Sequence, residues 1–263
     1  MKTIMHELNA IITIAYRDFT KFLRDRPRIL ISFVLPIMFV GILGGSLQAN
    51  LAKNVGFNFL AFVFVGVLAQ VLFQSTASGI ISLMEDREQD FSQAIFVAPV
   101  RRSSIIIGKI IGEGAVSFAQ AAGVIIFGLI MGVPLSLWQS IRLVPAMAAV
   151  SFLGGAFGML VLANLGNQQR VRQIFPLVIF PQFFLAGVFN PITHLPPVLF
   201  ALSRIAPLTY GVDFLRGIYY AGAPEASTLV LHSPLVNLGI ITALSGIFLA
   251  VGTALFVHSE RNR

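Results

Sequence analysis

The chain has no cysteine, a single tryptophan and few charges, with Asp, Glu, Lys and Arg making up 11% of its 263 residues. Without cysteine there is neither a disulfide nor a thiolate metal site, and the redox compartment stays open. Soluble domains carry about a quarter charged residues. Here 56% of residues are hydrophobic and the mean hydropathy is +0.86, so a soluble globular domain is excluded. The four histidines (His6, His194, His232, His258) are isolated from one another and from carboxylates, which leaves no ligand spacing for a metal. A phosphate-cradling loop is also missing. Gly108-Lys109 resembles its end, but Ile110 follows where Ser or Thr is required, and Ser103 stands where the first glycine belongs.

Acids are scarce where chemistry would need them. Asp213 is the only acid in 190–221, so no paired-carboxylate site can form there. Glu113 is the one acid within an apolar run, and Lys109 at i,i+4 offers it a local ion pair. With no further buried acid or base, a proton-coupled pump lacks its parts. A lipid-modifying integral membrane enzyme would have only Glu113, Asp213 and His194 to work with, which makes it the weaker alternative. Energy should come from another subunit.

What is present is long apolar sequence. Residues 29–52, 54–84, 143–169, 173–203 and 226–259 contain no Asp, Glu, Lys or Arg. A bilayer core about 30 Å thick is crossed by roughly 20 apolar residues in a helix. The pattern predicts an all-α integral membrane protein, one permease domain over 1–263, with six spans near 29–48, 58–84, 105–132, 143–165, 173–189 and 235–257. The formal charge of +7 comes from basic residues that flank these spans. It therefore reads as a topology signal and a contact for membrane lipids, with no nucleic acid partner. Placing both termini in the cytoplasm puts 14 basic residues inside and four outside (Lys53, Arg142, Arg204, Arg216). The expected location is the plasma (inner) membrane. The 28-residue leader contains Glu7, Asp18 and Asp25, unlike a cleaved signal peptide, so the first run is read as an uncleaved anchor.

Residues 2–24 have helical periodicity, with Ile4, Leu8, Ile11, Ala15, Phe19 and Phe22 or Leu23 on one stripe and Ile14 out of pattern. A basic amphipathic helix is expected in the cytoplasmic interface, ending before Pro27. In the fifth apolar block Pro176 and Pro181 interrupt the run, and Asn190-Pro191, Pro196-Pro197 and Pro207 follow. Proline removes a backbone donor, and bare backbone in lipid is costly. A short span ending near Phe189 is expected, then two re-entrant helices near 196–205 and 208–221. Tyr210, Tyr219 and Tyr220 suit the outer interface. Asp213 and Arg216 can pair at i,i+3. Gly41/Gly45, Gly128/Gly132 and Gly154/Gly158 permit close helix approach. Gln70 and Gln74 share a helix face, and with Gln120 they either bond between helices or form a polar wall on a substrate path.

Met84–Lys109 is a charged island between two spans, and its residues carry a family pattern. Asp86-Arg87-Glu88, Pro99-Val100-Arg101-Arg102 and Gly108-Lys109 fall in register with Glu-Arg-Glu-x-Gly-Thr, Pro-Val-x-Arg and Gly-Lys. The chain departs from it at Asp90-Phe91 and at Gln93. Leu185-Ala186-Gly187-Val188-Phe189, Leu195-Pro196, Pro207-Leu208-Thr209-Tyr210 and Asp213-Phe214-Leu215-Arg216 supply a second match. In both stretches the chain resembles the membrane subunit of type-2 ATP-binding-cassette exporters, the group that includes drug-resistance, polysaccharide and nodulation-factor permeases. The resemblance implies a cytoplasmic coupling helix within 85–100, with Asp86, Arg87, Glu88, Pro99, Arg101 and Arg102 meeting ATPase subunits. It implies re-entrant outer helices over 190–221, with Pro207, Tyr210, Asp213 and Arg216 at the outer gate. A second permease copy or paralogue completes the path. No cofactor is expected on this chain, and ATP and Mg belong to the partner ATPase. With 24 Phe against one Trp and four Tyr, the expected cargo is an amphipathic small molecule or lipid, a polysaccharide or glycolipid being the alternative.

Overall fold

The computed structural model describes residues 2–88, 102–165 and 168–261, and every regular element there is helical. Helix α1 (Lys2–Arg24) gives way at Asp25 to α2 (Arg26–Ile37). The Asp25 carboxylate accepts from Arg28 N at 3.0 Å, and Pro27 occupies the first turn, where no donor is missed. Pro36 removes a donor inside the helix, and a π-helical segment, Met38–Gly44, follows before α3 (Gly45–Val55). Gly56 ends α3 with φ +73°. Asn58 then caps α4 (Phe59–Glu88), accepting from Ala61 N at 2.9 Å. After α5 (Arg102–Ile130), Ser136 and Gln139 exchange side chain-to-backbone bonds in a capping box that starts α6 (Leu137–Leu165). The chain continues through α7 (Gln168–Leu185), α8 (Pro197–Ser203), α9 (Pro207–Tyr219), the short α10 (Ala226–Leu229) and α11 (Pro234–Arg261).

Five helical stretches are long and apolar enough to cross a membrane: 26–50, 59–81, 104–130, 137–163 and 226–255. The expected fifth span is not among them. Helix α7 has only 18 residues, with Arg170 and Arg172 near its start and Pro176 and Pro181 inside. By length and composition alone, a sixth candidate is the bent pair α8 and α9 taken as one, which is either a broken span or a re-entrant loop. These two helices match the short pair expected near 196–205 and 208–221, and they meet at 85°.

Helix α4 is the axis of the fold. Its apolar stretch is 89% buried, whereas those of 26–50 and 226–255 are each 17% buried and face outward. Phe62, Phe64, Phe73 and Phe183 are fully enclosed, so much of the phenylalanine content fills the core. Of the three glycine pairs, only Gly154/Gly158 brings helix backbones together. A Cβ on Gly154 would fall on the backbone of Phe73, and one on Gly158 would lie 2.6 Å from Ala77 O. Helix α6 can therefore lie directly on α4. Gly41 and Gly128 instead meet the side chains of Phe127 and Phe64.

Helix α1 docks along the start of α5. Gly108 and Gly112 admit Ile11 and Ala15, whose Cα atoms would lie 3.1 and 2.9 Å from an added Cβ. The docked face includes Ile14, Asp18 and Phe22, while Leu8 and Leu23 are exposed. This face is rotated from the stripe expected by periodicity, because two glycines create room that hydrophobicity does not reveal.

Candidate functional site

Docking of α1 buries a cluster of charges between three helices. Lys109 Nζ lies 2.9 Å from Asp18 Oδ2 and 3.6 Å from Glu113 Oε1. Arg28 Nη2 reaches Glu113 Oε2 at 3.8 Å, and Arg17 Nη2 holds Asp18 Oδ1 at 2.7 Å. The Lys109, Asp18 and Glu113 side chains are each no more than 3% exposed. Glu113 sits over Gly79, where a Cβ would overlap its carboxylate. The i,i+4 pair expected from sequence is present, but it is one part of a network joining α1, α2 and α5. Sequence reasoning missed Asp18 because an acid on an amphipathic helix reads as solvent-facing. The Gly108/Gly112 spacing was the available signal that a helix packs there.

A cleft of about 240 Å³ opens beside this cluster, between α2, α4 and α5. It brings Gln70, Gln74 and Gln120 together, as the polar-wall expectation requires. Ser75 and Ser78 extend the polar side, and Ile31 and Leu35 of α2 form an apolar side. Gln70 is 2% exposed and its Oε1 accepts no hydrogen bond. Arg28 lines the cleft and also belongs to the charge cluster. On the neighbouring side of α4, Thr76, Ser151 and Ser117 are linked by hydroxyl contacts of 2.9 Å between three helices.

The bent pair holds the expected outer-gate residues, though the expected i,i+3 pair is replaced by other partners. Asp213 accepts from Leu231 N at 2.8 Å, His232 N at 2.9 Å and Asn237 Nδ2 at 2.7 Å, tying α9 to the start of α11. Arg216 donates to Gly187 O at 2.6 Å and lies over the Phe62 ring, 3.6 Å from its centroid. A guanidinium is suited to this double task because it is planar and has several donors. Pro207 starts α9 and is buried, and Tyr210 Oη donates to Arg204 O at 2.8 Å. Tyr219 and Tyr220 are 4% and 6% exposed, packed against protein, and their rings meet edge to face at 4.8 Å. The Tyr219 hydroxyl finds a partner in Pro134 O, so burial leaves it satisfied.

The expected coupling element lies mostly outside the described residues. Asp86, Arg87 and Glu88 are in the last turn of α4 and Arg102 begins α5, while Pro99 and Arg101 fall between them, outside the description. Among the described residues no group of three His, Asp or Glu could hold a metal.

The ABC-2 type transporter family matches residues 9–220. The protein ycf38 of Cyanophora paradoxa, named as a transport permease, is 26% identical over 241 residues, covering 89% of this chain and 83% of that protein. Nodulation protein J of Rhizobium meliloti (strain 1021) is 25% identical over 210 residues, 78% of this chain and 74% of its own length. YbhR of Escherichia coli (strain K12), named as a multidrug ABC transporter permease, is 26% identical over 171 residues, covering 63% and 44%. With most of its length matched, the chain belongs to the ABC-2 type transporter family, membrane permeases that lack an ATPase domain and work with ATPase subunits.

Proposed function

We propose that this permease subunit exports an amphipathic small molecule or lipid from the cytoplasm or inner leaflet. The supporting observation is the cleft, which sets Gln70, Gln74 and Gln120 opposite Ile31 and Leu35. An amphiphile needs both kinds of wall. The phenylalanine content does not add to this, since many of those side chains fill the core.

In this reading both termini and the charge cluster lie on the cytoplasmic side, and α8 and α9 dip into the outer leaflet. Six crossings per subunit are completed by α7 with the turn after it. Two permease halves enclose the path. Closure of the ATP- and Mg-bound ATPases pushes the 85–100 element, and the long helices α4 and α5 on either side carry that movement inward. The outer pair at Pro207, Tyr210, Asp213 and Arg216 then yields to release cargo.

The test is ATPase stimulation in the complex reconstituted with its ATPase, using hydrophobic drugs, lysolipids and oligosaccharides. Stimulation by the first two groups is expected. Stimulation by oligosaccharides alone, with their vectorial transport, would replace this cargo with a polysaccharide or glycolipid.

A further inference from the structure

We infer that the cleft between α2, α4 and α5 is a headgroup site. It takes the anionic, hydrogen-bond-donating head of a single-chain amphiphile whose chain runs outside along α2. The inference rests on the exporter reading and adds the chemistry of what enters.

Size gives the first reason. Pockets that enclose a whole drug-sized ligand measure about 300–1,000 Å³. At about 240 Å³ the cleft is smaller than that and open at one side, so it accommodates a head and leaves the rest outside. Ile31 and Leu35, 70% and 43% exposed at the rim, offer the apolar surface along which a chain can lie.

Gln70 gives the second. A buried amide carbonyl without a donor is unfavourable, and native interiors hold few of them. Gln70 lines the cleft at 2% exposure and no protein group donates to its Oε1, so an occupant of the cleft that carries a donor gains a hydrogen bond there. Hydroxyl or ammonium groups qualify. A choline head, which has no N–H or O–H, does not.

Arg28 gives the third. At 3.8 Å its contact with Glu113 is beyond hydrogen-bond range, so the guanidinium keeps donors for a phosphate or carboxylate. Gln70 and Ser78 are eight residues apart on α4, about 12 Å by helical rise. Such a length suits a head with two polar groups. A lipid or a soluble phosphate ester could supply this chemistry, and the exposed apolar rim favours the lipid.

The test is equilibrium binding to the nucleotide-free complex in detergent. The probes are oleoyl lysophosphatidylglycerol, oleyl phosphocholine (a single-chain phosphodiester with no N–H or O–H) and glycerol 3-phosphate. The phosphatidylglycerol probe is expected to bind about tenfold more tightly than the choline probe, as for one hydrogen bond gained by a buried, otherwise unpaired acceptor. Glycerol 3-phosphate is expected to bind weakly. Gln70→Leu should remove that preference while keeping or raising the melting temperature, because an unpartnered buried amide is lost. Should this variant not fold, Gln70→Met, which removes the same acceptor at nearly the same length, is read in the same way.

Equal binding of the phosphatidylglycerol and choline probes would overturn the inference, as would unchanged preference in the folded variant. So would a dimer-to-monomer shift without a binding change, since the amide would then face a second copy. Glycerol 3-phosphate binding as tightly as the lysolipid would overturn the lipid source. Binding here requires no ATP, so the two readings fail separately. A cleft that binds in a complex that does not transport removes the exporter reading alone. Full lysolipid transport by Gln70→Leu removes the headgroup site alone.

Discussion

Lys109 is held between Asp18 and Glu113 with almost no access to solvent. Removing one member of a buried ion group is far worse than replacing the whole group, because the remaining charges lose their counterion. Lys109→Met should therefore destabilise the protein by about 3–5 kcal/mol, while Arg17→Ala, at a partly exposed pair, should cost less than about 1 kcal/mol. Denaturant unfolding in detergent measures both. The triple variant Asp18→Asn, Lys109→Met, Glu113→Gln should recover part of the Lys109→Met loss, and a further loss would show that the cluster does not act as a unit. At the other end, Arg216→Lys keeps the charge but gives up the flat contact with Phe62, worth about 2 kcal/mol where desolvated. The same unfolding experiment should register it, and an unchanged midpoint would contradict the assignment of Arg216 as a clamp.

Elements differ in how far their backbones approach, and glycine decides this. Gly158 faces the Ala77 backbone, whereas an added Cβ on Gly246 meets nothing within 4 Å. Gly158→Val should separate α6 from α4 and destabilise by about 1–3 kcal/mol or more, as overpacking does, while Gly246→Ala should be neutral or stabilising. Melting temperatures of the two variants settle the contrast. Much of this architecture was legible in the sequence. Charge-free runs located α2 with α3, α4, α6 and α11, the apolar run after the charged island located α5, prolines located the bent pair, and Gly154/Gly158 marked a helix contact. Other features were not legible for physical reasons. Helix α7 begins with Gln168, Gln169, Arg170 and Arg172, so its apolar part is shorter than the expected span. Docking of α1 depends on glycines more than 80 residues away in the sequence. Asp213 and Arg216 sit one turn apart, yet stronger partners on other elements claim both. Gln70 and Gln74 illustrate the opposite case, because i,i+4 spacing on α4 was enough to put them on one face, while Gln120 joins them from α5.

At the scale of the whole molecule, α2 and α7 leave large apolar side chains outside, among them Leu30, Val34, Leu177 and Phe184. These faces are where a second copy or a paralogue is proposed to sit, beside the Ile31 and Leu35 rim of the cleft. Single cysteines on α2 and α7 of this Cys-free chain should crosslink between subunits in native membranes, and failure at every position would count against the dimer. The central claim is ATP-driven export through this permease, with force entering at 85–100. Its most direct measurement is lysolipid movement across vesicles containing the chain and its ATPase. Movement should require ATP and both proteins, and Glu88→Lys together with Arg102→Glu should abolish it by disrupting the ATPase contact. Transport at the wild-type rate in that double variant, or transport without ATP, would contradict the account.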